Sequence, residues 1–464
     1  MRARALCHAL GGPRRLPDTM TQNQSPARRT GPHSPAPGVP GTARGESAAG
    51  RGTAPERRPG RTEAAGVRRL NLSRVALAVH DEAEITRAAV AERLGLTRAA
   101  VSSLVEQLIA AGFVAESGKT FSGQAGRPGT ALTMARTGHA GLGVSVDVDA
   151  LTVCLVDLAG TERLRLIETG RHAGSDPGAV LRDAALLTGR ALREAAGEGL
   201  VPAGVDLALP GLVADGVVRQ APNLGWNAVP AAELFAETLR AEATELPVGS
   251  DNEANSAALA QLWSGAPGGA RSFVYLSGDI GVGGAVVLDG DLLRGAHGFA
   301  GEIGHLVVDP NGPDCRCGSR GCLERYAGQD ALLRAAGLDA REGGIAELGR
   351  RAADGSGAPE ARRARQAVEQ AGAMLGVALS GAVNLLDPQT VLLGGLYREL
   401  TPHLAPAAER ELERRVVSGL WGAGSGRLCA ASPAGDAARG AAGQVLRRVL
   451  ADPLGYGAAP PATY

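Results

Sequence analysis

The sequence predicts a mixed α/β protein in two folded parts: a small unit with helix-turn-helix spacing closed by a β wing, then a larger two-lobed α/β domain. Three observations carry this prediction. A length of 464 residues exceeds what one ordinary hydrophobic core serves. Apolar residues recur with helical period from Leu70 and give way to short extended pieces before Gly138. From Leu142 onward, strand-like runs alternate with longer helical ones in two successive series.

Composition sets the outer limits. With 44% hydrophobic and 21% charged residues, most of the chain can bury a core. No apolar run reaches the roughly 18 residues of a membrane-spanning helix, so a membrane partner is not expected. The formal net charge of zero argues against a protein coated in positive charge, although arginine is concentrated in the first 66 residues. Lys119 is the only lysine, a coding bias without functional meaning. Met1–Leu10 lacks the long apolar stretch and cleavage site of a secretory signal, and six cysteines are too few for a disulfide framework, so a reducing, cytoplasmic setting is expected. Residues 1–65, dominated by Pro, Gly, Ala, Arg, Ser and Thr, and the last residues, 456–464, are expected to be disordered tails. The first is either inert or a basic arm, and Met20 is a second candidate start.

Residues 66–138 form the first expected domain. Within Thr86–Leu108, Ala91 is small where two helices cross, Gly95 supplies the tight turn, and Val90, Leu94, Leu96, Val101 and Leu104 make a shared core. Thr97 can cap the second helix. With these positions turned inward, Thr97, Arg98, Ala99, Ser102 and Ser103 face outward, small enough to enter a major groove of operator DNA. Gly112-Phe113-Val114 then opens a β wing that carries Gly126-Arg127-Pro128 and returns through Ala131–Met134. Two readings stand for Arg127: a minor-groove contact, or a solvated loop arginine.

Residues 139–455 form the second domain. Gly143–Leu158 reads as a hairpin, Asp176–Ala196 as a helix and Gly204–Leu209 as a buried strand. The second series has strands at Phe273–Ser277 and Gly284–Leu288, a helix over Val368–Leu386 and a buried strand at Thr390–Leu393. Two such units imply two lobes with a cleft between them.

The sharpest chemical signal lies in Gly301–Glu324. Cys315, Cys317 and Cys322 fall within eight residues, Gly318 and Gly321 allow a tight fold, and His305 is near enough to complete a set of three sulfurs and one nitrogen. That set suits a tetrahedral, structural zinc ion; the alternative is three free buried thiols. Cys7, Cys154 and Cys429 are scattered bystanders.

Glu-x-x-His at Glu302–His305, followed by Cys-x-Cys-Gly-x-x-Gly-Cys-x-Glu at Cys315–Glu324, resembles the signature of the ROK family of repressors, open reading frames and sugar kinases. Ala208–Val213, Ala221–Trp226, Asp251–Asn255 and Leu375–Gly395 resemble further family segments. The resemblance implies an actin-like, ribonuclease H-like sugar-kinase fold and a homodimer or homotetramer. It also implies sugar contacts at Gly211, Asn223, Asn252, Glu253, Glu302, His305 and Glu324. Amides and carboxylates suit sugar hydroxyls, and an imidazole held by a metal through one nitrogen offers the other to a ligand.

Relative to the family's kinases, three motifs differ. Glu253 stands at the general-base aspartate, Asp147-Val148-Asp149-Ala150-Leu151 replaces Asp-x-Gly-Gly-Thr, and Asp279 replaces a small hydroxyl residue of the second phosphate loop. A base displaced by one methylene and negative charge where phosphate would lie both oppose phosphoryl transfer. The expectation is a sugar-responsive repressor of carbohydrate-utilisation genes with no catalytic residue, whose effector is a monosaccharide or sugar phosphate. The alternatives are an ATP-dependent sugar kinase with residual activity and a constitutive DNA-binding architectural protein.

Overall fold

The computed structural model describes residues 61–457 except 83, 121–128, 242–244 and 340–343. The expected tails before residue 61 and after 457, the alternative start Met20 and the wing arginine Arg127 lie outside the described residues. No helix among the described residues is long and apolar enough to cross a membrane.

The winged helix comprises α1 (Arg61–His80), β1 (Ile85–Thr86), α2 (Arg87–Leu94), α3 (Arg98–Ala110), β2 (Val114–Thr120) and β3 (Gly129–Met134). Helix α1 begins inside the stretch assigned to the tail, where Glu, Arg and two Ala residues favour helix. Thr86 and Thr97 cap α2 and α3 by accepting from the backbone N–H three residues on, and Gly95 ends α2 at φ +67°. Val90, Ala91, Val101 and Leu104 are buried as expected, while Leu94 and Leu96 are only partly covered. β2 and β3 form the expected antiparallel wing, with β1 added to its other edge.

The first lobe continues with β4 (Gly138–Val146), β5 (Ala150–Asp157), β6 (Glu162–Thr169), α4 (Pro177–Gly197), β7 (Leu200–Leu209), β8 (Leu212–Ala214), β9 (Val217–Ala221), β10 (Trp226–Val229), α5 (Ala231–Ala241) and β11 (Val248–Asn252). Then α6 (Glu253–Trp263) leads to the second lobe: β12 (Phe273–Gly278), β13 (Val282–Leu288), β14 (Asp291–Leu292), α7 (Glu324–Ala327), α8 (Gln329–Ala336), α9 (Gly344–Ala353), α10 (Pro359–Leu386), β15 (Thr390–Gly395), α11 (Leu396–Arg415) and β16 (Leu428–Ala430). Finally α12 (Ala437–Ala451) and α13 (Pro453–Tyr456) return to the first lobe, where α12 lies on β4 and α6.

The two five-stranded sheets repeat one plan. Their orders are β11-β7-β4-β5-β6 and β14-β13-β12-β15-β16. In each, three antiparallel strands in sequence meet two parallel ones through the first of the three. Parallel strands need crossover helices, supplied by α4 and α5 in one lobe and by α10 and α11 in the other. Each lobe keeps its own core, one around Leu142, Val153 and Leu207, the other around Val274, Leu379 and Leu393. A third cluster joins α1, α2 and α3 to the outer side of β5 and to α12. The strand ends where chain direction reverses face one another across a cleft, the place where open α/β sheets receive ligands.

Candidate functional site

The cleft encloses about 500 Å³ and is lined by Gly211, Asn223, Asn252, Glu253, Glu302, His305 and Glu324, seven positions drawn from five separate stretches of sequence. Local geometry explains how several are held. Gly211 follows β7 at φ +86°, and a Cβ there would strike the Gln220 carbonyl, so only glycine permits the turn. Its carbonyl accepts from Asn252 Nδ2 at 2.9 Å. Asn252 caps α6: its Oδ1 accepts from the Ala254 and Asn255 N–H groups at 2.8 and 3.2 Å, and its Nδ2 also donates to Glu253 Oε2 at 3.1 Å. The Asn252 amide is thus the joint that fixes Gly211 and Glu253 relative to α6.

Across the cleft, Glu324 Oε2 accepts from the Val282 N–H at 3.1 Å, and a Cβ at Gly281 would meet that carboxylate. Two contacts the sequence reading did not anticipate bridge the lobes. Arg316, between two knuckle cysteines, donates to Asn223 Oδ1 at 3.2 Å. Arg294, just beyond β14, pairs with the buried Asp251 at 2.7 Å, while the other Asp251 oxygen accepts from the Asn252 N–H and from Asn255. Arg316 sits one residue from two expected metal ligands and Arg294 beside none of the expected positions, and neither carries a local signal of its role.

The other end of the cleft is acidic. Asp147, Glu253 and Asp279 line it together, from the β4–β5 turn, the start of α6 and the β12–β13 turn. Although the Asp279 residue is exposed, desolvation among the groups of the cleft pushes its carboxyl up to about 7, with Asp147 adding to the shift and the Ser277 hydroxyl, which donates at 3.0 Å, opposing it. Desolvation likewise raises Asp147, at the cleft edge, and holds the half-buried Glu253 well above the ordinary carboxylate range with Asp147, Asp279 and Glu302 reinforcing it. Glu302 is raised as well, chiefly by burial and also by Glu324, against the influence of His305. Arg165 and Arg398 also line the cleft, and Arg165 pairs with Asp436, the N-cap of α12, at 2.7 Å.

Beside the sugar-side carboxylates, one ligand atom each from His305, Cys315, Cys317 and Cys322 lies within 4.8 Å of the others. His305 Nδ1 stands 3.8 Å from Cys315 Sγ, and Cys317 and Cys322 sulfurs are 3.7 Å apart. The turn depends on Gly321 at φ +67°, where any Cβ would collide with the Asp309 carbonyl. Burial, with Cys317 and Cys315 adjacent, pushes the Cys322 thiol up to about 12. Three thiolates so close repel one another, and a bound cation removes that penalty, so the donor set suits a metal ion. His305, whose Nδ1 faces Cys315, also lines the cavity.

On α3, Thr97, Arg98, Ala99 and Ser103 are exposed and Ser102 is half-buried. The Thr97 hydroxyl accepts from the Ala100 N–H at 3.2 Å, and Ser103 accepts from Arg68 at 3.4 Å, so both hydroxyls have structural duties besides any contact with DNA. Arg127 falls outside the described residues.

Residues 142–448 match the ROK family and residues 73–120 match the MarR family. The chain is 29% identical over 339 residues to the xylose repressor of Caldicellulosiruptor bescii, covering 71% of this chain and 83% of the relative. It is 35% identical over 209 residues to the glucokinase of Halalkalibacterium halodurans, covering 41% of this chain and 61% of that enzyme. Among solved structures, a ROK family transcriptional regulator described as a homologue of the E. coli MLC protein superposes with a TM-score of 0.68 at 25% identity, covering 84% of this chain and 98% of that one. The repeated sheets, the cleft, the cysteine knuckle and a match over residues 142–448 agree: the chain belongs to the ROK family.

Proposed function

We propose that the chain is a sugar-responsive transcriptional regulator, a repressor of carbohydrate-utilisation genes, whose winged helix reads operator DNA and whose kinase-derived cleft binds the effector without phosphorylating it. The observation that carries this reading is the joining, in one chain, of a winged helix to a sugar-kinase-type cleft in which Glu253 stands at the general-base position and Asp279 adds a carboxylate to the second phosphate loop. A nucleotide triphosphate there would meet the Asp279 carboxylate in place of a small hydroxyl residue, which opposes phosphoryl transfer. The Glu253 carboxyl, raised chiefly by burial and held by Asn252 Nδ2, would be a further sugar contact. Gly211, Asn223, Asn252, Glu302, His305 and Glu324 would supply the remaining sugar contacts, Asn252 largely by positioning its neighbours.

Zinc bound by His305, Cys315, Cys317 and Cys322 would be structural, because four protein ligands complete its shell and leave no site for an activated water. It would fix the knuckle that carries Arg316 and the imidazole of His305. Domains of 66–138 for DNA and 139–455 for the sugar, the expected cytoplasmic setting and a homodimer or homotetramer reading paired half-sites complete the reading. Thr97, Arg98, Ala99, Ser102 and Ser103 of α3 would meet the major groove, with Arg127 of the wing as a further contact.

Thermal-shift screening of monosaccharides and their phosphates tests the cleft, starting with D-xylose and D-glucose because relatives are a xylose repressor and a glucokinase. Release of bound DNA by the same sugar tests the regulator. A chain that is stabilised by no sugar and releases no DNA is not this kind of protein. The glucokinase relatives favour one second reading, a sugar kinase with residual turnover; ATP-dependent phosphorylation of a hexose panel separates it from the first.

A further inference from the structure

On the reading of the chain as a ligand-regulated DNA-binding protein, we propose that Arg447 of α12 transmits the state of the cleft to the helix-turn-helix, through Trp263 at the end of α6 on one side and Asp81 at the end of α1 on the other.

The path starts in the site. Asn252 caps α6 and Glu253 is its first residue, so any movement of the sugar-side loop moves that helix. Helix α6 lies against α12 with no room for slippage. A Cβ at Gly440 would collide with the Ser256 carbonyl, and one at Gly443 would lie 2.6 Å from the Trp263 ring. On its other side α12 is equally close to the first sheet, where a Cβ at Gly141 or Gly143 would strike the Ala442 or Ala438 carbonyl. Backbone contacts this close, all made by glycine, join α6, α12 and β4 into one rigid body.

Beyond Trp263 the contacts become polar and directional. The Arg447 guanidinium sits 5.3 Å from the centre of the Trp263 ring. Its Nη2 pairs with Asp81 Oδ1 at 3.2 Å, across 366 residues of sequence. Its Nε is buried without a hydrogen-bond partner. Asp81 also faces Arg93 of α2 at 3.8 Å, and Arg93 binds Glu82 at 3.0 Å. The chain of contacts therefore runs from the sugar-side cap to the first helix of the helix-turn-helix. Further along α12, Leu446, Val449 and Leu450 share a cluster with Val75, Val79 and Leu104, and Asp452 accepts from Arg69 Nε at 2.6 Å. The apolar contacts hold the two parts together without direction; the Arg69–Asp452 and Arg447–Asp81 pairs are directional, and Arg447 also faces α6 through Trp263, so it can report a shift of α6 as a change in where α2 sits.

The test uses the full chain, D-xylose or D-glucose, whichever gives the larger thermal shift, and a duplex selected on the wild-type protein from a random DNA pool. The ratio of DNA dissociation constants with and without sugar should be about 5–150-fold for the wild type. In Arg447→Ala and in Asp81→Asn, sugar affinity and sugar-free DNA affinity should stay within roughly threefold of wild type while the ratio falls below about threefold, and the double variant should lose no more than either single one. Arg190→Ala, which removes an exposed pair with Glu168, should keep the full ratio. Asp81→Asn leaves the α12 packing untouched and carries the test even if Arg447→Ala does not fold. Full response in Asp81→Asn overturns the proposal, and so does loss of its sugar-free DNA binding, which would make the contact merely structural. A wild-type protein that binds DNA with no sugar response sinks the functional reading and this path with it; a responsive wild type with equally responsive variants sinks the path alone.

Discussion

Asn252 lets stability and ligand affinity be separated at one residue. Asn252→Ala removes a cap that accepts two backbone N–H groups, worth about 1 kcal/mol. It also leaves the Gly211 carbonyl without its 2.9 Å donor, worth about another 1 kcal/mol. A loss of about 2 kcal/mol should lower the midpoint of a lobe-sized unit by roughly 4–8 °C in a thermal melt. Asn252→Asp keeps an oxygen for the cap, so roughly half of that loss should return. It has no N–H to donate to Gly211 or Glu253, so affinity for the stabilising sugar, measured by calorimetry, should stay as weak as in the alanine variant. Wild-type affinity in Asn252→Asp, or a midpoint unchanged in Asn252→Ala, would refute the idea that this amide organises the site.

The pH response should follow Asp279. Its carboxyl is raised from 3.8 to about 7, so the folded state holds the proton more tightly than the unfolded chain. That contribution is complete below the lower value and fades as pH climbs through the upper one; urea midpoints should decline from about pH 4 to 7, and Asp279→Asn should flatten the decline. For the knuckle, elemental analysis of protein purified without chelator should find about one zinc per chain, falling to near zero in Cys322→Ser together with the melting temperature; metal-free wild-type protein that melts unchanged would argue against a structural ion. Replacing the α3 cap, Thr97→Ala, should cost about 1 kcal/mol of stability in the winged helix, with Thr97→Ser restoring most of it; equal melts for all three would mean that the hydroxyl does not cap the helix.

The features that were legible before the fold was known share one property: their causes lie within a few residues. Gly95 and Thr97 mark the turn of the helix pair because a left-handed residue and a cap act on adjacent backbone. The cysteine knuckle was readable because its thiols and hinge glycines occupy eight residues. The repeated α/β series announced two lobes through periodicity alone. The sugar-side residues were another matter: Gly211, Asn223, Asn252, Glu302 and Glu324 were assembled only through resemblance to a family, since nothing in their spacing says that they meet.

What the amino-acid text determined by itself was therefore the kind of elements, their caps and turns, and one metal-type cluster. Only the tertiary structure decided that α12 returns from the second lobe to lie on α6, that Arg294 and Arg316 span the cleft, that Asp147, Glu253 and Asp279 share one acidic wall, and that Arg447 meets Asp81. The physical reason is range. Helical period, capping and positive φ are set by neighbouring atoms, whereas the partner of a charged side chain and the proton affinity of a buried carboxyl depend on which distant surfaces packing brings together. In a chain with 48 basic residues, no local feature distinguishes the arginine that will face tryptophan and aspartate from those that will face water.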